Sequence, residues 1–166
     1  MKEQILQHLS QTGICVIEDY FDSVFCDEAI KNIEEGLIHF PNKIQSESKE
    51  NTSGDFRLFK MENKYNTAKQ FAEDNFLLEV GSEYFGYPIK SHFVLGGKVS
   101  YNSKQITNSG GGWHRDNRAK QIKTLVYLSD VNENNGPYLF LPGSNKFDLP
   151  TRDGIGKVTR YEDGVY

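Results

Sequence analysis

Two cysteines in 166 residues, Cys15 and Cys26, cannot make a disulfide framework, and neither has other ligands near it at zinc-site spacing. Packing as free thiols in a reducing compartment is their expected role. Also missing is a long apolar run: Met1 is followed by Lys2, Glu3 and Gln4 with no hydrophobic stretch behind them. Neither a secretory signal nor a spanning helix is expected, so the reading is a cytoplasmic protein without a membrane partner. Basic charge is not in excess either. Nineteen Lys and Arg stand against 23 Asp and Glu, a formal charge of -4, which gives no electrostatic footprint for a nucleic-acid backbone or an anionic bilayer. There is no internal repeat or low-complexity tract, and the four histidines end at His114.

What is present is an ordinary globular composition, 37% hydrophobic and 25% charged, far from that of a disordered chain. The length suits a single domain spanning 1–166. Its first part, 1–90, reads as helix-rich. Ile5, Leu6 and Leu9 share a helical face over Lys2 to Gln11, Gly13 stops that helix, and Ile14 to Ile17 reads as a short buried strand. Asp22 or Ser23 can cap a second helix with Phe25, Ala29, Ile30, Ile33 and Leu37 as its stripe and His39 at its end. Pro41 to Ser53 is a polar loop, a candidate lid. Phe56 to Phe59 is a candidate strand, and Thr67 with Gln70 makes a capping box for a helix that ends near Gly86 and Pro88.

Beyond residue 90 the helical period gives way to short strands: His92 to Tyr101, Gly112 to Asp116, Gln121 to Ser129 and Tyr138 to Leu141. Turn signals at Asn108-Ser109-Gly110-Gly111 and Asn134-Asn135-Gly136-Pro137 separate them. The expected fold class is α+β, an antiparallel barrel or jelly roll (a double-stranded β-helix) with the N-terminal helices packed outside it.

The most informative stretch is Trp113-His114-Arg115-Asp116. Side chains two apart on an extended chain point the same way with attachment points about 6–7 Å apart, so an imidazole and a carboxylate can converge on one ion. Neutral imidazole nitrogen and hard carboxylate oxygen suit iron(II), and with one more histidine they form a facial triad with open positions. The spacing alone arises by chance in roughly one chain in four of this kind, so context decides. Gly110, Gly111 and Gly112 supply some of it, since they permit a sharp turn or a close approach to a bound molecule just ahead of the pair.

The rest comes from two further motifs in order, Leu125-Val126-Tyr127-Leu128-Ser129-Asp130-Val131 and Asn135-Gly136-Pro137-Tyr138-Leu139-Phe140-Leu141-Pro142-Gly143-Ser144. Together the three resemble the phytanoyl-CoA dioxygenase family of iron(II)- and 2-oxoglutarate-dependent oxygenases over about Lys98 to Asn145. The resemblance implies that His114 and Asp116 bind iron(II), that the next strand lines the pocket, and that the Gly-Pro and Pro-Gly-Ser elements shape the following hairpin. It points Lys98 toward 2-oxoglutarate, where a buried ammonium would pair with a carboxylate. Asn102, Thr124 and Tyr127 are candidates for pocket hydrogen bonds, of which strand alternation admits only some. Asp116 favours hydroxylation, because halogenating relatives carry a small residue there. The implied reaction consumes molecular oxygen and 2-oxoglutarate, releases succinate and hydroxylates a small-molecule substrate whose identity the motifs do not specify.

Against the family pattern, no second histidine follows His114, and no arginine after such a histidine is there to grip 2-oxoglutarate. His92 enters a strand but reads better as a packed residue, His8 and His39 as peripheral, and Arg152 and Arg160 as surface arginines. Asn145 stands where many relatives have a histidine that is not an iron ligand. Three accounts follow: a chain shortened relative to its gene product and so lacking the last jelly-roll strands, a homodimer completing the site in trans, or a non-catalytic jelly-roll module. The last would stack a sugar or other small ligand on Tyr101, Trp113, Tyr127 and Tyr138. A cupin-like metal enzyme would draw more histidines from adjacent strands than this chain offers. The first account is the simplest. It predicts a reading frame that continues past Tyr166 with a histidine and then an arginine; an intact mass near 19.0 kDa for the complete gene product would count against it.

Overall fold

The first helix, α1 (Lys2–Thr12), ends where Gly13 adopts a left-handed conformation at φ 85° and returns its N–H to the Leu9 carbonyl. The computed structural model describes residues 1–40, 44–45, 55–91, 93–100, 113–115, 120–146 and 159–161. Ile14 to Ile17, expected as a strand, joins no ladder among the described residues, and Val16 is 78% exposed. The Thr12 hydroxyl donates instead to the Ile14 carbonyl and holds the chain in a turn there.

The second helix, α2 (Ser23–His39), begins at the expected cap: the Asp22 carboxylate accepts from the Phe25 N–H at 2.8 Å. Its buried residues are Asn32, Ile33 and Gly36. Within the expected loop, Ile44–Gln45 forms β1 on the edge of a sheet, and the remainder of Pro41 to Ser53 lies outside the described residues. The expected strand is β2 (Asp55–Phe59), which pairs antiparallel with β1 and with β3 (Leu95–Val99) in the order β1-β2-β3. Helices and sheet therefore share a core across residue 90.

Between β2 and β3 the chain makes a 3-10 turn at Met61–Asn63 and two helices, α3 (Asn66–Ala72) and α4 (Asn75–Phe85), where one was expected. Thr67 is not the cap, because α3 has already begun; its hydroxyl accepts from Asn32 Nδ2 at 2.8 Å and ties α3 to α2. Asp74 divides the pair. One of its carboxylate oxygens accepts both from the Leu77 N–H at 2.9 Å, capping α4, and from the Tyr20 hydroxyl at 2.8 Å. Gly86, left-handed at φ 81°, closes α4 as expected. The excursion is pinned at its base by the Met61 N–H on the Val94 carbonyl and the Val94 N–H on the Glu62 carboxylate.

The sheet has two unlike faces. Leu58 and Gly96, directly opposite in register, face α2: Leu58 is 4% exposed, and a methyl added to Gly96 would run into the Met61 sulfur and Ile33. The core they join comprises Ile33, Leu58, Met61, Tyr65, Ala68 and Val94. Arg57 and Gly97, one step along, occupy the other face. A second small sheet pairs β4 (Trp113–Arg115) with β5 (Thr159–Tyr161). Among the described residues, 121–129 and 138–141 form no ladder, in contrast to expectation; the Tyr138 N–H donates to the Tyr127 hydroxyl instead. No helix among the described residues is long and apolar enough to cross a membrane.

Burial, reinforced by the Asp74 bond and charge, pushes the Tyr20 phenol up to about 12 from its usual 10.0. The folded chain thus keeps that proton after the unfolded chain has released it, so the neutral phenol stabilises fully below about pH 10 and this contribution fades as pH rises toward 12. In alkaline denaturation Tyr20→Phe should remove this part of the decline above pH 10. Asp74→Ala, which takes away a cap and a tertiary bond together, should cost roughly 2 kcal/mol, against about 1 for Asp22→Ala, which loses a cap alone.

Candidate functional site

His114 is the central residue of β4, and the antiparallel ladder sets it opposite Arg160 of β5, with Trp113 opposite Tyr161 and Arg115 opposite Thr159. Asp116 and Asn102 lie outside the described residues, as do His92 and Arg152. His39 ends α2 beside Phe40, and His8 approaches the Gln4 carbonyl on exposed α1. Among the described residues no three His, Cys, Asp or Glu side chains gather to hold a metal ion. An imidazole and a carboxylate two residues apart in sequence, as in His114 and Asp116, are donors whose chemistry suits iron(II).

The sheet faces sort the remaining candidates. Lys98 shares the helix-facing side with Gly96, and its ammonium meets the Glu34 carboxylate of α2 at 3.0 Å, both side chains about half exposed. Such a solvated pair adds little stability. Thr124 is exposed, whereas Ile122, Val126 and Leu128 around it are partly buried, Leu128 against the main core. Tyr127 is 48% exposed, and its oxygen accepts the Tyr138 N–H at 2.6 Å, which leaves its own proton available to donate.

Arg57 went unremarked as a site residue in the sequence. It is half-buried on the sheet face turned away from the helices, directly opposite Gly97. A methyl on Gly97 would meet nothing closer than 3.8 Å, and Leu95 and Val99 stand exposed on either side along β3. A guanidinium flanked by apolar side chains is suited to an organic carboxylate as one of its partners. Period-two alternation through Phe56-Arg57-Leu58-Phe59 hints at this face, but the pairing with Gly97 is not legible locally.

A family model described as Phytanoyl-CoA dioxygenase (PhyH) matches residues 9–159. The chain belongs to the phytanoyl-CoA dioxygenase family. Members of this family are dioxygenases on a jelly-roll fold, generally dependent on iron(II) and 2-oxoglutarate. The match takes in all three linked motifs and β2 with Arg57. No curated protein and no solved structure matches the chain.

The two faces give opposite expectations for neighbouring glycines of β3. Gly96→Ala should lower stability by roughly 1–3 kcal/mol through overpacking against Met61 and Ile33. Gly97→Ala should stay within about 0.5 kcal/mol. Denaturant midpoints of the two variants decide the assignment, and a larger loss for Gly97→Ala than for Gly96→Ala would mean the faces are reversed.

Proposed function

We propose that the protein is an iron(II)- and 2-oxoglutarate-dependent dioxygenase that hydroxylates a small-molecule metabolite within a jelly-roll core. The observation that carries this reading is the family match across His114 and Asp116. His114 and Asp116, two apart in sequence, would hold the metal through an imidazole nitrogen and a carboxylate oxygen. Iron(II), if held there, would supply the activation of molecular oxygen that is coupled to oxidation of 2-oxoglutarate. The protein's own part is to bind, orient and exclude water.

Arg57 offers the carboxylate of the co-substrate a charge-assisted pair, and Gly97 leaves the room for it. The five N–H donors of a guanidinium allow this alongside other partners. Asn102, Thr124 and Tyr127 are the candidates for the remaining polar contacts, with Tyr127 donating from a hydroxyl whose oxygen is already fixed by the Tyr138 N–H.

Mixing the protein with iron(II) and 2-oxoglutarate without oxygen should produce a visible charge-transfer band, absent in His114→Ala and Asp116→Ala. Arg57→Met should weaken 2-oxoglutarate binding about 10- to 100-fold, the loss typical of a charge-assisted bond. No band with wild type would sink the oxygenase reading. Ligand binding indifferent to both chelator and His114→Ala would favour the non-catalytic module.

A further inference from the structure

The Pro-Gly-Ser turn does something for which the oxygenase reading has no use: it grips the first helix. The Gly143 N–H donates to the Thr12 carbonyl at 2.7 Å, and Asn145 Nδ2 donates to the Leu9 carbonyl at 3.4 Å. Both acceptors belong to the last turn of α1; the Thr12 carbonyl has no helical donor, and the Leu9 carbonyl takes the Asn145 bond as a second one beside that from the Gly13 N–H. Gly13 completes the contact. Its φ of 85° suits glycine, and a methyl there would lie 2.7 Å from Asn145 Cγ, so two separate constraints favour the bare backbone.

The same segment reaches the candidate pocket at its other end. The Tyr138 N–H is bonded to the Tyr127 hydroxyl at 2.6 Å. Among the described residues no ladder holds 120–146, so the segment is placed by discrete contacts of this kind. A Ser144 N–H bond to the Leu141 carbonyl and a Lys146 N–H bond to the Gly143 carbonyl make the turn compact, and only Leu139 and Phe140 separate it from Tyr138.

We propose that Asn145 is a positioning residue: with Gly143 it clasps the C-terminal end of α1, and through the turn and Tyr138 it fixes the aim of the Tyr127 hydroxyl. The inference rests on the oxygenase reading only in treating Tyr127 as a pocket residue; the clasp itself needs neither iron nor 2-oxoglutarate. An asparagine is suited to the task because its short amide offers a donor at the reach of the helix carbonyl. A histidine at 145 carries Nδ1 the same number of bonds from the backbone and can replace it.

Amide hydrogen exchange on the full chain, followed residue by residue by NMR, tests this. In wild type the Tyr138 amide should be protected. Asn145→Ala should speed its exchange roughly fivefold, the effect of losing one hydrogen bond, while amides in the middle of α4 keep their rates. Asn145→His should restore protection, which a merely destabilising substitution would not allow. Independently, Gly13→Ala should destabilise wild type more than it destabilises Asn145→Ala, because the Cγ and Oδ1 that the added methyl would meet at 2.7 and 2.9 Å are gone in the latter, where Cβ alone remains at 3.0 Å. An unprotected Tyr138 amide in wild type, an unchanged rate in Asn145→Ala, or strictly additive effects of the two substitutions would each overturn the clasp. None of these measurements involves the metal, so they stand or fall apart from the charge-transfer test.

Discussion

Helix α2 lies so close to the sheet that two positions have no room for a side chain. At Gly36 a methyl would sit 2.5 Å from Leu58 Cδ1, and at Gly96 it would run into Met61 and Ile33. That contact buries Leu58, Met61, Tyr65 and Val94 together and commits one face of the sheet to the helices. Because side chains alternate along a strand, everything on the opposite face follows: Arg57 and Gly97 turn away from α2, while Lys98 turns toward it and finds Glu34. A slip of one residue in register would exchange these roles and place a guanidinium in the apolar core.

Signals that act over a few residues were the legible ones. Gly13 and Gly86 stop their helices and Asp22 caps α2, because a left-handed glycine or a capping carboxylate works through neighbours in sequence. Phe56 to Phe59 reads as a strand for the same reason. Thr67 was misread because the spacing of a capping box was met by a residue already inside a helix, whose hydroxyl serves Asn32 from another element. Short segments between turn signals after residue 120 read as strands, yet turn signals report only where the chain bends, and ladder formation depends on a partner elsewhere.

The candidate site divides along the same line. His114 and Asp116 could be picked out because their chemistry and spacing are contained in four residues. Arg57 could not, since its significance depends on meeting Gly97 across the excursion of residues 60–94. Asn145 likewise looked like a minor departure from the family pattern, and its partner on α1 is separated by almost the whole chain.

That excursion bears on how the molecule reaches its native state. β2 and β3 bracket α3 and α4, so their ladder closes a long loop, and closure entropy must be met before any of its hydrogen bonds form. Helical segments form much faster than such pairing. The Met61–Val94 and Glu62–Val94 bonds draw the ends of that connection together at the base of the ladder and so shorten the loop that the pairing has to close. The register that fixes which face Arg57 occupies is therefore set by contacts between residues far apart in the chain.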